Sequence, residues 1–269
     1  VFASVLQDKG YWTGTKGTYK QKALQRVASV WANMVDKSNY RINSWNGSGD
    51  GVRNPSYHMP GWYQVFKEFA DTNAVSGQEW DKVRTAAYAL MNAQPNSNKG
   101  MARNFSDGSG GAPSDGTSSG PGNPDNGVSR TNMGFDAIRV PYRMGIDAIW
   151  YPKHSQAISW CKNVWESGAI DPTKPGMYYV SDASLWGWGT TAQNFADAQY
   201  DKSMTGAMWG TSAIAVKDSS AAAAAAAKTI KSSILSRMRA FPYFSTYASE
   251  EVANNYYAQT LALFGALAI

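Results

Sequence analysis

Asp136 and Arg139 stand three residues apart where a glycine-bearing run gives way to an apolar, helix-forming one. Pro141 suits the first turn of that helix, because its missing N–H is one that no intrahelical carbonyl would have accepted. The helix is therefore expected to begin near Val140, with Asp136 just outside its electropositive end. A carboxylate held there by a guanidinium that cannot give up its proton is arranged as a general base or a pre-oriented anion. The same local pattern also fits a helix-capping aspartate with an incidental ion pair. Further along, Met144, Ala148 and Ile149 share an apolar face, while Arg143 and Asp147, four apart, are spaced to pair on another.

Residues 135–143 read Phe-Asp-Ala-Ile-Arg-Val-Pro-Tyr-Arg. They resemble the signature of glycoside hydrolase family 8, roughly Tyr-Asp-Ala-x-Arg-x-Pro-Trp-Arg, with Phe135 for Tyr and Tyr142 for Trp. A second block, Asn54-Pro55-Ser56-Tyr57-His58-Met59-Pro60, is similar to the family's Asn-Pro-Ser-Tyr-Phe-x-Pro segment, His58 standing at the Phe position. In place of the family's Gly-Leu-x-x-Asp-Trp, the chain has Gly100-Met101-Ala102-Arg103-Asn104-Phe105. Asn104 keeps a polar group beside a ring but removes a charge.

The resemblance implies an all-α fold, an α/α toroid of six helical hairpins. It also implies an inverting, endo-acting glycoside hydrolase, in which two carboxyls flank the scissile bond about 6.5–9.5 Å apart to admit water. On that reading Asp136 is the general base, Tyr57 hydrogen-bonds the base or the water, and Arg139 fixes Asp136. Asn104 is then a substrate-binding residue. Some subfamilies have Asn at the position of Asp136 and draw the base from an inserted loop; Asp136 implies the direct arrangement. The family's general-acid glutamate belongs to a Ser-Glu-Gly-type segment that these residues do not contain, so the acid is expected from an N-terminal fragment of the same precursor. The substrate class implied is β-1,4-glucan of the cellulose type. A non-catalytic carbohydrate-binding or assembly subunit that keeps the family fold is the alternative.

Composition agrees with a carbohydrate protein. Charged residues make up 17 % of the 269-residue chain and aromatics 13 %, with 11 Trp and 15 Tyr. Sugars present flat C–H faces to such rings, although burial in the core is the commoner fate of tryptophan. Trp45, Trp62, Trp186, Trp188 and Tyr243 are the candidate sugar platforms, although Trp62 also falls at core spacing in the helix expected over 60–70. Lys and Arg are scattered, with a net charge of +5, which gives no footprint for nucleic acid. The lone Cys161 excludes an internal disulfide and reads as buried. His58 and His154 lack metal-type spacing, and Asp107, Asp115 and Asp125 match no standard calcium loop, so neither a metal nor a cofactor is expected. No run is apolar enough to suggest a membrane span, and a secreted or periplasmic location is expected of a polysaccharide-degrading enzyme.

The elements that position these residues read as helices. Apolar spacing predicts helices over 1–7, 20–35, 60–70, 77–93, 140–150, 155–167, the later part of 197–216, 221–238 and 250–267. Ser76 and Glu79 have the spacing of a capping box, and Ser219 and Ser220 precede the alanine run that makes the helix from 221 the clearest. Residues 177–189 read as a loop or aromatic wall. Residues 96–130 form a low-complexity insertion rich in Gly, Ser, Asn and Pro, expected as a surface loop. The whole chain, 1–269, is expected to be one catalytic-type barrel domain, incomplete at its N-terminus and supplying about eight of the toroid's helices.

Overall fold

A computed structural model describes residues 1–11, 19–44, 51–113, 131–134, 136–187, 198–240, 260, 263–265 and 267–268. Among them run eight α-helices: α1 (Phe2–Asp8), α2 (Tyr19–Asn33), α3 (Pro60–Thr72), α4 (Trp80–Asn92), α5 (Arg139–Trp150), α6 (Ser155–Glu166), α7 (Ala198–Val216) and α8 (Ala221–Ala240). Each odd helix packs against the even helix that follows it. In addition α3 meets α5 and α5 meets α7, while α6 meets α8. Consecutive hairpins thus stand side by side, odd helices touching odd and even touching even, which is the two-layered wall of an α/α barrel.

The helix ends follow local chemistry. Pro60 sits in the first turn of α3, where a missing N–H is harmless. Ser220 Oγ accepts the Ala223 amide at 3.4 Å and opens α8, whose Ala223, Ala226 and Ala227 are buried. Gly168, at φ +68°, ends α6 in the left-handed region that a side chain would strain. The capping box expected at residues 76–79 does not form. Gly77 turns at φ +80°, α4 starts at Trp80, and Glu79 instead accepts from Tyr40 Oη at 2.6 Å and pairs with Lys82 at 2.5 Å.

Two other expectations give way. Residues 177–187 hold a small antiparallel ladder, β3 (Met177–Tyr178) with β4 (Leu185–Gly187), too short for alternation to be legible. It follows an equally short pair, β1 (Val35–Asp36) with β2 (Arg41–Ile42). The polar stretch after α4 is not surface throughout: Met101, Ala102, Asn104 and Ser106 are all at most 2 % exposed. Two buried methionine and alanine side chains and a bridge between Ser106 and Arg53 draw this segment inward. Residues 114–130 and most of the helix expected over 250–267 lie outside the described residues.

The core has two parts. The larger joins the C-terminal half of α4 to α5, α6, α7, α8 and β3; the smaller joins α2, α3, the first half of α4, β1 and β2. Helix α5 is the member both layers lean on. At Gly145 an added Cβ would lie 2.7 Å from the Thr211 carbonyl carbon, and one at Gly61 would lie 3.1 Å from Asp147 Cα. These glycines let α7 and α3 approach α5 at backbone distance.

Candidate active site

Asp136 lies in a turn two residues ahead of the N-cap of α5, its side chain 32 % exposed. Ala137 and Ile138, which follow it, are completely buried in the larger core and so anchor the turn. Three separate hydrogen-bonding systems then set its position. Asn104 Oδ1 accepts the backbone amides of Gly134 and Ala137, both at 2.9 Å, and the Asn104 amide reaches Asn132 O at 2.9 Å. Met133 exchanges backbone hydrogen bonds with Tyr178 of β3, at 3.1 and 3.3 Å. Finally, Asn54 Nδ2 donates to Asp136 Oδ1 at 3.1 Å.

Asn54 is itself fixed. It caps the 3-10 turn Pro55–Tyr57, its Oδ1 accepting Ser56 N at 3.0 Å and Ser56 Oγ at 2.7 Å, and it is 1 % exposed. Its neighbour Arg53 exchanges backbone bonds with Ser106 and spends its buried guanidinium on Asp36 at 3.0 Å and Asn43 at 2.5 Å. The segments around 54, 104 and 136 are therefore one hydrogen-bonded platform. Sequence reasoning placed Asn54 in a motif but gave it no role; the signal was its N-cap position before Pro55, which fixes the amide's direction.

Arg139, the first residue of α5, ion-pairs with Asp136 Oδ1, and its Nε donates to the Asp136 carbonyl at 3.0 Å. The Arg139 guanidinium also lies over the Tyr57 ring, 5.4 Å from its centroid. The structure thus brings together Asp136, Arg139 and Tyr57. Tyr57 is joined through a cation–π contact with Arg139, with no hydrogen bond to Asp136, and stays 38 % exposed beside the turn. Both donors to the Asp136 carboxylate converge on Oδ1. Its Oδ2 accepts no hydrogen bond from the described residues, so among them one oxygen is held and the other is not.

The remaining candidates fall elsewhere. Asn104 is 2 % exposed and its carbonyl oxygen is occupied by the two loop amides. Trp62 packs edge-on to Phe2 and Trp150, at centroid distances of 5.4 and 5.2 Å. Trp150 ends α5, roughly 16 Å along a 12-residue helix from Arg139. Trp186 is on β4, its side chain outside the described set; Trp45, Trp188 and Tyr243 lie outside the described residues altogether.

The expected Arg143–Asp147 pair is absent. Asp147 is fully buried and accepts from Tyr88 Oη and from His154 Nδ1, the latter at 2.8 Å. Arg84 Nη1 lies 3.3 Å from His154 Nε2, and a guanidinium can only donate, so the imidazole proton is assigned to Nδ1 and points at Asp147. Burial nevertheless pushes the Asp147 carboxyl above the usual aspartate value, offset by the Tyr88 and His154 hydrogen bonds. Arg143 instead lies over the Tyr142 ring, and Ile149, placed on the apolar face from spacing, is 38 % exposed. Cys161 is fully buried, and burial raises its thiol far above its usual range. Among the described residues no group of three His, Cys, Asp or Glu could hold a metal, and no helix is long and apolar enough to cross a membrane.

No family model matches the chain. Endoglucanase C of Ruminiclostridium cellulolyticum is 29 % identical over 160 residues, 54 % of this chain and 30 % of the relative. Endoglucanase 2 of Ruminiclostridium josui matches to the same extent, and endoglucanase A of Acetivibrio thermocellus is 26 % identical over 153 residues, 55 % of this chain and 28 % of the relative. The matched region is thus about 30 % of these relatives' length. Among solved structures, a reducing-end-xylose releasing exo-oligoxylanase superposes with a TM-score of 0.61 at 16 % identity, covering 96 % of this chain and 60 % of its own. Rex8A from Paenibacillus barcinonensis, complexed with xylose, gives 0.61 at 17 % identity, covering 95 % and 60 %.

Proposed function

From a chain that is like glycoside hydrolase family 8 in sequence and fold, we propose a part of an inverting, endo-acting hydrolase of β-1,4-linked polysaccharide in which Asp136 is the general base. The observation that carries this reading is the asymmetry of the Asp136 carboxylate. Asn54 and Arg139 both hold Oδ1, while Oδ2 takes no hydrogen bond from the described residues. A base needs that division: one oxygen fixes the orientation and the other receives the proton of the attacking water.

In the reaction, Oδ2 withdraws a proton from water as its oxygen attacks the anomeric carbon from the face opposite the leaving group. The glycosidic bond breaks and the leaving oxygen takes a proton from a general acid. Arg139 and Asn54 keep the carboxylate from rotating, and the exposed Tyr57 ring beside Arg139 offers a surface at the edge of the site. The acid is assigned to an N-terminal segment of the same precursor. Several described carboxylates other than Asp136 spend their side-chain contacts structurally, among them Asp36 on Arg53, Glu79 on Lys82 and Tyr40, Glu68 on Gln64 and Tyr151, and Asp147 on Tyr88 and His154. Trp45, Trp62, Trp186, Trp188 and Tyr243 remain proposed glycan contacts, whereas the buried Asn104 acts on the site by bracing the turn that carries Asp136. Because a polymer of this kind does not cross membranes, a secreted or periplasmic location is part of the proposal.

The first choice of substrate is cellulose-type glucan, because the sequence relatives are named endoglucanases; xylan comes next, because the structural neighbours are named for xylose release. The test is reducing-end release from soluble β-1,4-glucan and from xylan by the natural full-length protein, with the anomeric configuration of fresh products read by NMR. Asp136→Asn should remove about 10²–10⁴-fold of the rate, the worth of a positioned base. Undiminished hydrolysis by that variant, or products of retained configuration, overturns the proposal.

A further inference from the structure

Arg53 stands directly before Asn54, and its whole side chain is buried. A buried guanidinium stays charged and is costly unless a counter-charge and acceptors meet it. Both come from around the β1–β2 hairpin, 17 and 10 residues earlier in the chain: Asp36 Oδ2 accepts Nη2 at 3.0 Å and Asn43 Oδ1 accepts Nη1 at 2.5 Å. Asp36 pairs with Arg41 in that ladder, and Asn43 N continues it onto Met34 O at 2.8 Å, so the two acceptors are carried on facing strands. Between them they take both ends of one planar fork.

Asp36 is itself held in place. Its Oδ1 accepts Ser38 N at 3.0 Å and Ser38 Oγ at 2.6 Å, and its Oδ2 accepts Asn39 Nδ2 at 3.0 Å beside the Arg53 contact. The Ser38 hydroxyl, outweighing the opposite effect of burial, keeps the carboxyl below the usual aspartate range and therefore charged.

Direction is what this grip supplies. The backbone at Asn54 is extended, with φ −99° and ψ 106°, so the side chains of residues 53 and 54 leave the chain on opposite sides. The Arg53 backbone is bridged to Ser106 at 2.6 and 2.8 Å, and Asn54 N donates to Ser44 Oγ at 2.7 Å, which fixes the strand between them. With Arg53 anchored toward the hairpin, Asn54 is turned the other way, where its Nδ2 meets Asp136 Oδ1 at 3.1 Å. Packing alone would not call for an ion pair here, because an apolar pair of the same volume is often as stabilising.

We propose that Asp36 is a positioning residue for the base: through Arg53 it aims the Asn54 amide at Asp136, with Asn43 as the second point of the grip. The role in catalysis rests on Asp136 being the general base; the chain of contacts from Asp36 to Asn54 stands without it.

The test is a double-mutant cycle on the natural full-length protein. Asp36→Asn, and separately the milder Asn43→Ala that leaves the ion pair in place, are compared in the parent and in an Asn54→Ala background. Kinetics are read on soluble β-1,4-glucan or xylan, whichever the parent hydrolyses. Each variant should lower kcat about three- to tenfold with KM unchanged, and should cost less than about twofold once Asn54 is gone, because residues acting in series do not add. A residue that merely supports the fold would cost the same factor in both backgrounds; that result, or a kcat that neither variant moves, overturns the proposal. The side-chain amide NMR signals of Asn54, identified by their loss in Asn54→Ala, give a second readout that needs no hydrolysis. Asp36→Asn and Asp136→Asn should both shift them. Such shifts in a protein that hydrolyses no glycan support the positioning and remove only the catalytic reading, whereas signals that Asp36→Asn leaves in place overturn it.

Discussion

The Asn54 side-chain amide donates to Asp136 Oδ1 at 3.1 Å across 82 residues of chain, so two motifs that look independent in the sequence meet on one oxygen. Asn54→Ala removes that donor and the cap of the following 3-10 turn together. The expected outcome is a fall in kcat of about tenfold with little change in KM, because the base is turned rather than the substrate released. Stability should fall by about 1 kcal/mol, the usual worth of a side-chain cap. Steady-state kinetics on soluble β-glucan and a denaturant melt of the same preparation check both parts. A variant whose KM rises while kcat holds would show that Asn54 contacts substrate and does not orient the base.

Asn104 braces the same turn from below. Its Oδ1 accepts both the Gly134 and the Ala137 amides, and it is the oxygen, not the amide nitrogen, that does so. Asn104→Ala leaves two buried donors unmet and should cost about 2–5 kcal/mol. Asn104→Asp supplies an oxygen in the same place and should retain the fold and most of the stability. Chemical unfolding of the pair decides the matter: equal loss in both variants would mean the nitrogen carries the contribution.

These two residues mark how much the sequence disclosed. The helices were legible because each buries an apolar face at a regular period, and α8 carried an alanine run that few contexts could override. Asp136, Arg139 and Tyr57 were legible because they cluster in short motifs, and the structure does set the three side by side. What could not be read were the partners that come from far away. Arg143 and Asp147 had the spacing of a surface ion pair, but spacing does not say which helix lies opposite, and α4 brings Tyr88 to Asp147 instead. Similarly, the polar composition after α4 hid the fact that Met101 and Ala102 are swallowed by the core.

Gly145 measures the approach of α5 to α7. An added Cβ would sit 2.7 Å from the Thr211 carbonyl carbon and 2.8 Å from both Thr211 O and Ser212 N, all backbone atoms that cannot swing away. Gly145→Ala should therefore destabilise by about 1–3 kcal/mol, the cost of overpacking, despite the better helix propensity of alanine. Because α5 begins with Arg139, the shift should also lower activity. Thermal unfolding and kinetics of one variant test this, and a stabilised Gly145→Ala would mean that the two helices are not held at backbone contact.

His58 yields the pH dependence. It is fully buried, neither ring nitrogen has a partner, and burial, with Arg53 and Arg41 nearby, depresses its pKa from 6.5 to about 3. The unfolded chain therefore takes up the proton first. Stability from this group is complete above about pH 6.5 and drains away as the pH falls toward 3, with a slope approaching 1.4 kcal/mol per pH unit at about its steepest. Family 8 has Phe at this position, and an apolar ring fits a site that offers the imidazole no hydrogen bond. His58→Phe should fold, match or exceed the parent's stability at pH 7, and lose the slope between pH 6.5 and 5. In that window ordinary carboxylates have yet to titrate, so the difference between the two unfolding curves isolates one residue. Parallel curves for parent and variant from pH 7 to 5 would place His58 in contact with solvent or with a proton acceptor.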